Sequence, residues 1–191
     1  MATFRRNRHG LFSLTLQPVE ADVLASVTRE VLELLDVPEE PADPLAAELG
    51  LGDLPGFGAL GEGAAGPTAP PEDEVLRRLL PDAYPDDPAA AAEFRRFTER
   101  GLRERKAAAA RAVLASLEPV EGQGGRVQLD AEGARTWLGT LNDVRLALGT
   151  RLGVRDDEEP GPLEEEDPQR YAWAVYDFTT HLQETLVRSL G

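Results

Sequence analysis

The 191-residue sequence contains no cysteine and a single methionine, Met1. The chain therefore forms no disulfide, no thiolate metal site and no thiol-based redox switch. It also lacks any run of about 18 apolar residues, the length that a membrane-spanning helix requires. Arginines near the N-terminus are not followed by an apolar signal segment. These absences predict a cytoplasmic protein without a membrane segment.

Recognisable catalytic and metal-binding motifs are missing as well. The two histidines, His9 and His181, lie near no G-x-S-x-G elbow, and the sequence has neither a G-x-G-x-x-G fingerprint nor a P-loop. The acidic residues at 82–87 do not match a calcium-binding loop. We therefore predict no catalytic residue, no metal site and no cofactor.

The acidic residues are unevenly distributed along a chain whose net charge is −15. Residues 37–73 and 156–167 each contain eight acids and no base, and the other 19 acids nearly balance the 20 bases. Residues 37–73 also hold seven prolines and seven glycines, which is typical of a flexible insert. We predict such an insert at 37–73 and an acidic loop at 154–167. An acidic chain repels a phosphate backbone, which disfavours direct DNA binding.

Hydrophobic periodicity predicts a mainly α-helical single domain over residues 1–191. Four to five helices are expected, at 18–36, 74–80, 88–117, 131–152 and from Asp167-Pro168 towards the C-terminus. Alternating residues at 11–16, with 3–6 before a turn, predict a small N-terminal antiparallel hairpin. Residues 126–129 alternate similarly and could add a third strand.

Basic side chains gather between positions 95 and 106 of the helix predicted at 88–117, where six cations accompany two acids. Such a patch suits contact with an acidic partner or a nucleic-acid backbone, and the candidate contact residues for a protein partner are Arg95, Arg96, Arg100 and Arg103. The alternative is a solvated helix face neutralised by pairs four residues apart, such as Glu99 with Arg103. Gly101 costs this helix about 1 kcal/mol relative to alanine, so we expect another helix to approach closely there.

Arg145 falls between two leucines on the apolar face of the helix at 131–152, where a charged side chain needs a partner. We expect a carboxylate from residues 82–93 to pair with it. The structural residues predicted around this pair are Asp82, Tyr84, Glu93 and Arg145. A pocket for a small anion at Arg145 is the alternative.

Two stretches of sequence are distinctive. One comprises Leu79 to Tyr84, Asp86-Asp87, Glu93 to Arg96 and Thr98-Glu99, and the other comprises Trp137, Leu141 to Asp143, Arg145-Leu146, Leu148-Gly149 and Arg151 to Gly153. With these stretches the chain resembles an actinobacterial family of a domain of unknown function, which is also described as AosR-like oxidative stress transcriptional regulators. The likeness covers nearly the whole chain except residues 37–73.

The resemblance implies a cytoplasmic regulator that contacts a sigma factor, another transcription component or a Clp-linked component, and does not read DNA itself. It brings no established catalytic residues. We therefore predict a non-catalytic transcriptional or stress-response regulator that acts through protein–protein contacts. One alternative is an enzyme or small-anion-binding protein built around Arg145 and the 82–93 carboxylates. Another is a proteolysis adaptor that uses residues 37–73 as a tether.

Overall fold

The computed structural model describes residues 2–35, 69–154 and 167–191. The elements in these ranges are β1 (Arg5–Arg6), β2 (Phe12–Leu16), α1 (Pro18–Leu35), α2 (Glu74–Leu79), α3 (Pro88–Leu117), β3 (Gly125–Leu129), α4 (Ala131–Leu152) and α5 (Arg170–Leu190). The predicted class, mainly helical with a small antiparallel sheet, is confirmed, and the third strand is present. Residues 37–68 of the predicted insert and 155–166 of the predicted acidic loop lie outside the described residues.

The three strands form one antiparallel sheet in the order β1-β2-β3. The turn between β1 and β2 is closed by the Asn7 side chain, which accepts hydrogen bonds from the amides of His9 and Leu11. Because successive side chains of a strand point to opposite faces, the apolar residues of β2 and β3 share one face. Leu14 lies opposite Val127 in this register, and both are buried against the helices.

Aspartates begin three of the helices. Asp73, Asp87 and Asp130 precede α2, α3 and α4, and each side chain accepts a hydrogen bond from an amide of the first turn, as preferred N-cap residues do. Helix α5 begins at Arg170, slightly later than the Asp167-Pro168 pair had indicated. Within the described ranges, no helix is long and apolar enough to cross a lipid bilayer.

Buried apolar side chains form two clusters. The larger one joins the sheet to α1, α3, α4 and α5 around Trp137, whose ring meets Phe4 edge-on at a centroid distance of 5.6 Å. The Trp137 indole N–H is satisfied by Ser116 Oγ at 2.9 Å. The smaller cluster holds α2 against α1 and α4, with Leu35, Leu79 and Val144 among its members. The N-terminal half of α3 reaches beyond the larger cluster, and the candidate site lies there.

Gly101, in the interior of α3, is not a point of close helix approach, so that expectation is wrong. Among the described residues, a Cβ atom added there would meet only the Arg105 Nη1 atom, at 3.4 Å. The Arg105 side chain is flexible and can move by the few tenths of an ångström that a methyl group needs. The glycine therefore lowers the stability of the helix without a packing reason.

Replacing Gly101 by alanine is expected to raise the free energy of unfolding by about 0.5–1 kcal/mol, because alanine loses less backbone entropy in a helix. Urea denaturation measures the difference. Gly153 is a matched control because it ends α4 in the left-handed region with φ 68°, where Gly153→Ala should destabilise. Equal effects at the two positions would contradict this account of Gly101.

Candidate protein-binding surface

The N-terminal half of α3 buries charged side chains and exposes aromatic ones. Arg95 and Glu99 are 7% and 4% exposed, whereas Phe94 and Phe97 are 45% and 65% exposed. Each residue turns an α-helix by about 100°, so Phe97 lies nearly opposite Glu99. A phenylalanine therefore occupies the solvent side of this helix.

A network of ion pairs explains why the charged side chains are buried. Arg95 pairs with Asp82 of the segment before α3, and its Nε lies 3.6 Å from Oε2 of Glu99. Arg103 donates from Nε and Nη2 to Oε1 of Glu99 at 3.0 and 2.9 Å. Glu99 is thus held between two guanidinium groups, which supply the opposite charge that a buried carboxylate requires.

The same network positions the exposed aromatic residues. The Asp82–Arg95 pair fixes the segment 81–87 against α3, and Tyr84 in that segment packs edge-on against Phe94 with ring centroids 5.9 Å apart. The Arg96 guanidinium carbon lies 5.9 Å from the centroid of the Phe97 ring, within the range of a cation–π contact. We call Tyr84, Phe94, Phe97 and Arg96 the aromatic surface.

The four arginines predicted as contact residues occupy different environments. Arg96 belongs to the aromatic surface, and Arg100 is exposed and pairs with Glu104 at 3.0 Å. Arg95 and Arg103 are held in the ion-pair network with Glu99. The Arg95 side chain is 7% exposed and that of Arg103 is 15% exposed, so both offer a partner little surface in this conformation. Their role as contact residues stays a prediction. The alternative of pairs four residues apart is the arrangement found for Arg100 and Arg103.

Arg145 does not pair with a carboxylate from residues 82–93, so that prediction is wrong. Its Nε donates to Thr180 Oγ1 at 2.9 Å and its Nη1 to Gln183 Oε1 at 2.7 Å. Its guanidinium carbon also lies 5.4 Å from the Tyr176 ring centroid. All three partners belong to α5, which packs along α4 at this level. The segment 81–87 lies along α3 instead, where Asp82 has Arg95 as its partner.

The other three predicted structural residues differ in whether they contact α3. Asp82 and Tyr84 contact α3 through Arg95 and Phe94. Glu93 is exposed, and no hydrogen bond or ion pair of Glu93 occurs within the described residues. No contact in the described part of the chain supports the structural role predicted for Glu93, which stays a prediction.

Two features were missed from the sequence: the exposed phenylalanines and an ion pair between α3 and α4. Lys106 Nζ lies 2.5 Å from Oδ1 of Asp143. Burial raises the pKa of the Asp143 carboxyl above its ordinary value, while the Lys106 ammonium opposes that rise. The single lysine of the sequence was a signal that could have drawn attention to this position.

In the ranges that the structure describes, no group of three or more histidine and acidic side chains is arranged to hold a metal ion.

The class of protein follows from these features. It is a helical protein whose buried ion pairs orient α3 so that aromatic side chains face solvent, and its sequence has no recognised catalytic motif. The chain belongs to the family of the domain of unknown function DUF2017, whose profile matches residues 1–190. The family resemblance seen in the sequence is thereby confirmed.

Among its relatives are proteins called oxidative stress regulators. The Oxidative stress regulator AosR of Mycobacterium tuberculosis (strain ATCC 25618 / H37Rv) is 33% identical over 188 residues, which cover 92% of this chain and 80% of the relative. The Putative oxidative stress regulator AosR of Mycobacterium leprae (strain TN) is 33% identical over 194 residues, which cover 94% and 82%. No solved structure gives a significant match.

Proposed function

We propose that this protein is a non-catalytic regulator of a stress response and that it acts by binding another protein through the aromatic surface of α3. The observation that carries the proposal is the exposure of Phe97, at 65%, on the side of α3 that faces away from the buried ion pairs. Tyrosine, phenylalanine and arginine are enriched in the cores of protein interfaces, where a few such residues supply most of the binding energy.

The relatives support the regulatory part of the proposal, since those of the two mycobacterial species carry the name oxidative stress regulator. The partner we favour is a transcription component with an acidic, partly apolar surface, such as a sigma factor. Arg96 and Arg100, at the edge of the aromatic surface, would face its acidic residues. Because this chain has no cysteine, its partner or another signal would supply the response to oxidants.

Fewer observations support the two alternative functions. An anion at Arg145 would have to compete with three α5 side chains that already contact the guanidinium. A proteolysis adaptor tethered by residues 37–73 depends mostly on residues outside the described ranges. It stays a prediction.

The proposal predicts that Phe97→Ala lowers the recovery of the native partner by about 30-fold, the effect of losing roughly 2 kcal/mol at a central interface residue. Tagged full-length protein would be recovered from the native host after oxidative stress, and co-purifying proteins quantified by mass spectrometry. The free energy of unfolding should change little, because a side chain that is 65% exposed has few intramolecular contacts to lose. Charge reversal at Arg96 and Arg100 should also weaken recovery.

Tyr171→Ala is the matched control, since Tyr171 is an equally exposed aromatic residue, at 68%, on α5. Recovery should be unchanged in this variant. If the wild type, Phe97→Ala and the Arg96/Arg100 reversal all recover the same proteins, the aromatic surface does not bind the partner. Recovery of a metabolic enzyme complex alone would argue against the regulatory role.

A further inference from the structure

An open groove of about 250 Å³ lies between α3 and α4, towards the C-terminal end of α3 from the aromatic surface. Its walls include Leu102, Arg105, Lys106, Gly139, Asn142 and Asp143. Asn142 and Asp143 belong to one of the two distinctive stretches of sequence, and the proposed function gives them no role. The groove is therefore a feature that the aromatic surface does not account for.

The charges in the groove do not cancel. The Lys106 ammonium and the Asp143 carboxylate neutralise each other at 2.5 Å. Arg105 is exposed, and within the described part of the chain its guanidinium makes no hydrogen bond or ion pair. One positive charge of the groove thus has no partner among the described residues. The Asn142 side chain, which also lines the groove, can donate a hydrogen bond from its amide. Such a combination favours an anion.

The rest of the groove is apolar and has room for a side chain or a small ligand. Leu102 lies on its α3 side. On the α4 side, a Cβ atom added at Gly139 would have no atom of the described ranges within 4 Å. Because glycine has no side chain, the α4 side of the groove is open at this position. An apolar group of a few carbon atoms can lie against it and be removed from water.

We infer that the α3–α4 groove binds a carboxylate carried on a short apolar chain. The Arg105 guanidinium, whose planar donors match a carboxylate, binds the anionic group. Asn142 donates a further hydrogen bond, while Lys106 stays paired with Asp143. The apolar chain lies between Leu102 and Gly139. A free small acid and the acidic side chain of a polypeptide share this chemistry, and the site does not depend on the proposed function.

Nuclear magnetic resonance titration of the full chain with sodium butyrate tests the inference. Saturable shifts are expected at the amides of Gly139 and Asn142 and at the Arg105 side chain, with a dissociation constant on the order of 1–10 mM for so small a ligand. Butyramide has the same size without the charge and should give no saturable shifts. N-acetylglutamic acid α-amide presents the carboxylate as a polypeptide does. Tighter binding of this compound identifies a polypeptide as the source, and tighter binding of butyrate identifies a free acid.

Variants separate binding in the groove from general effects on the helices. Arg105→Gln should weaken butyrate binding at least about tenfold, the loss of one charge-assisted contact. Gly139→Leu should fill the groove and abolish the shifts, whereas Gly139→Ala should stabilise α4 similarly and still bind. Arg135→Gln, at an exposed arginine of α4 outside the groove, should bind like the wild type. Absence of saturable shifts, an equal response to butyramide or undiminished binding by Gly139→Leu would overturn the inference.

Discussion

Replacing Lys106 by methionine is expected to lower the free energy of unfolding by about 3 kcal/mol at neutral pH, because the buried Asp143 carboxylate loses the cation that pairs with it. Asp143 is 8% exposed and Lys106 is 21% exposed, so water cannot readily replace the ammonium. Methionine matches the apolar stem of lysine as far as Cε and lacks the ammonium group, so the loss reports on charge more than on packing. Urea denaturation at pH 7 measures it.

The loss should depend on pH in a defined direction. Burial already raises the pKa of Asp143 above its ordinary value of 3.8, and the Lys106 ammonium limits the rise. Without Lys106 the folded-state pKa rises further, and between the unfolded and folded pKa values the folded protein binds more protons than the unfolded chain. Stability in Lys106→Met therefore falls as pH rises through this window and returns as pH falls below the folded-state pKa.

A second variant identifies the source of the effect. In the double variant Lys106→Met with Asp143→Asn neither position carries a charge, so most of the lost stability should return and the added pH dependence should vanish. Together with Asp143→Asn alone, these variants complete a double-mutant cycle on residues in direct contact. If the double variant is as unstable as Lys106→Met, the loss comes from packing around Lys106 and the charge argument fails.

The sequence allowed much of the fold to be predicted, because the signals for helix ends are local. Asp73, Asp87 and Asp130 precede their helices as N-caps, and each cap depends only on residues within its own first turn. The strands of the sheet also followed from local alternation. For these elements tertiary structure reinforced the local preference and did not override it.

The orientation of α3 could not be predicted in the same way, because its buried face is made largely of alanine and charged residues. Ala91, Ala107 and Ala110 are buried together with Arg95 and Glu99. A helix with this pattern has no clear apolar stripe, so neither the buried side of the basic run nor the exposure of its phenylalanines followed from periodicity. That Asp82 would reach Arg95 and not Arg145 depended on the path of residues 81–87, which is a tertiary property.

Burial of the ion pairs and exposure of the aromatic surface are two consequences of the same helix rotation. With Glu99 turned inwards, the geometry of about 100° per residue places Phe97 towards solvent. The network around Glu99 therefore fixes which residues α3 offers to a partner. Disturbing it should change both stability and the aromatic surface.

Replacing Glu99 by glutamine is accordingly expected to lower the free energy of unfolding by about 3 kcal/mol, because Arg95 and Arg103 would lose the carboxylate that lies between them. Glu104→Gln is the matched control: Glu104 also pairs with an arginine of α3 four residues away, but both side chains are exposed, at 63% for Glu104 and 54% for Arg100. Removing that pair should change stability by no more than about 0.5 kcal/mol. Urea denaturation of both variants gives the comparison, and amide hydrogen exchange across 81–99 should rise only in Glu99→Gln. Similar small losses in the two variants would show that the buried network does not hold α3 in its orientation.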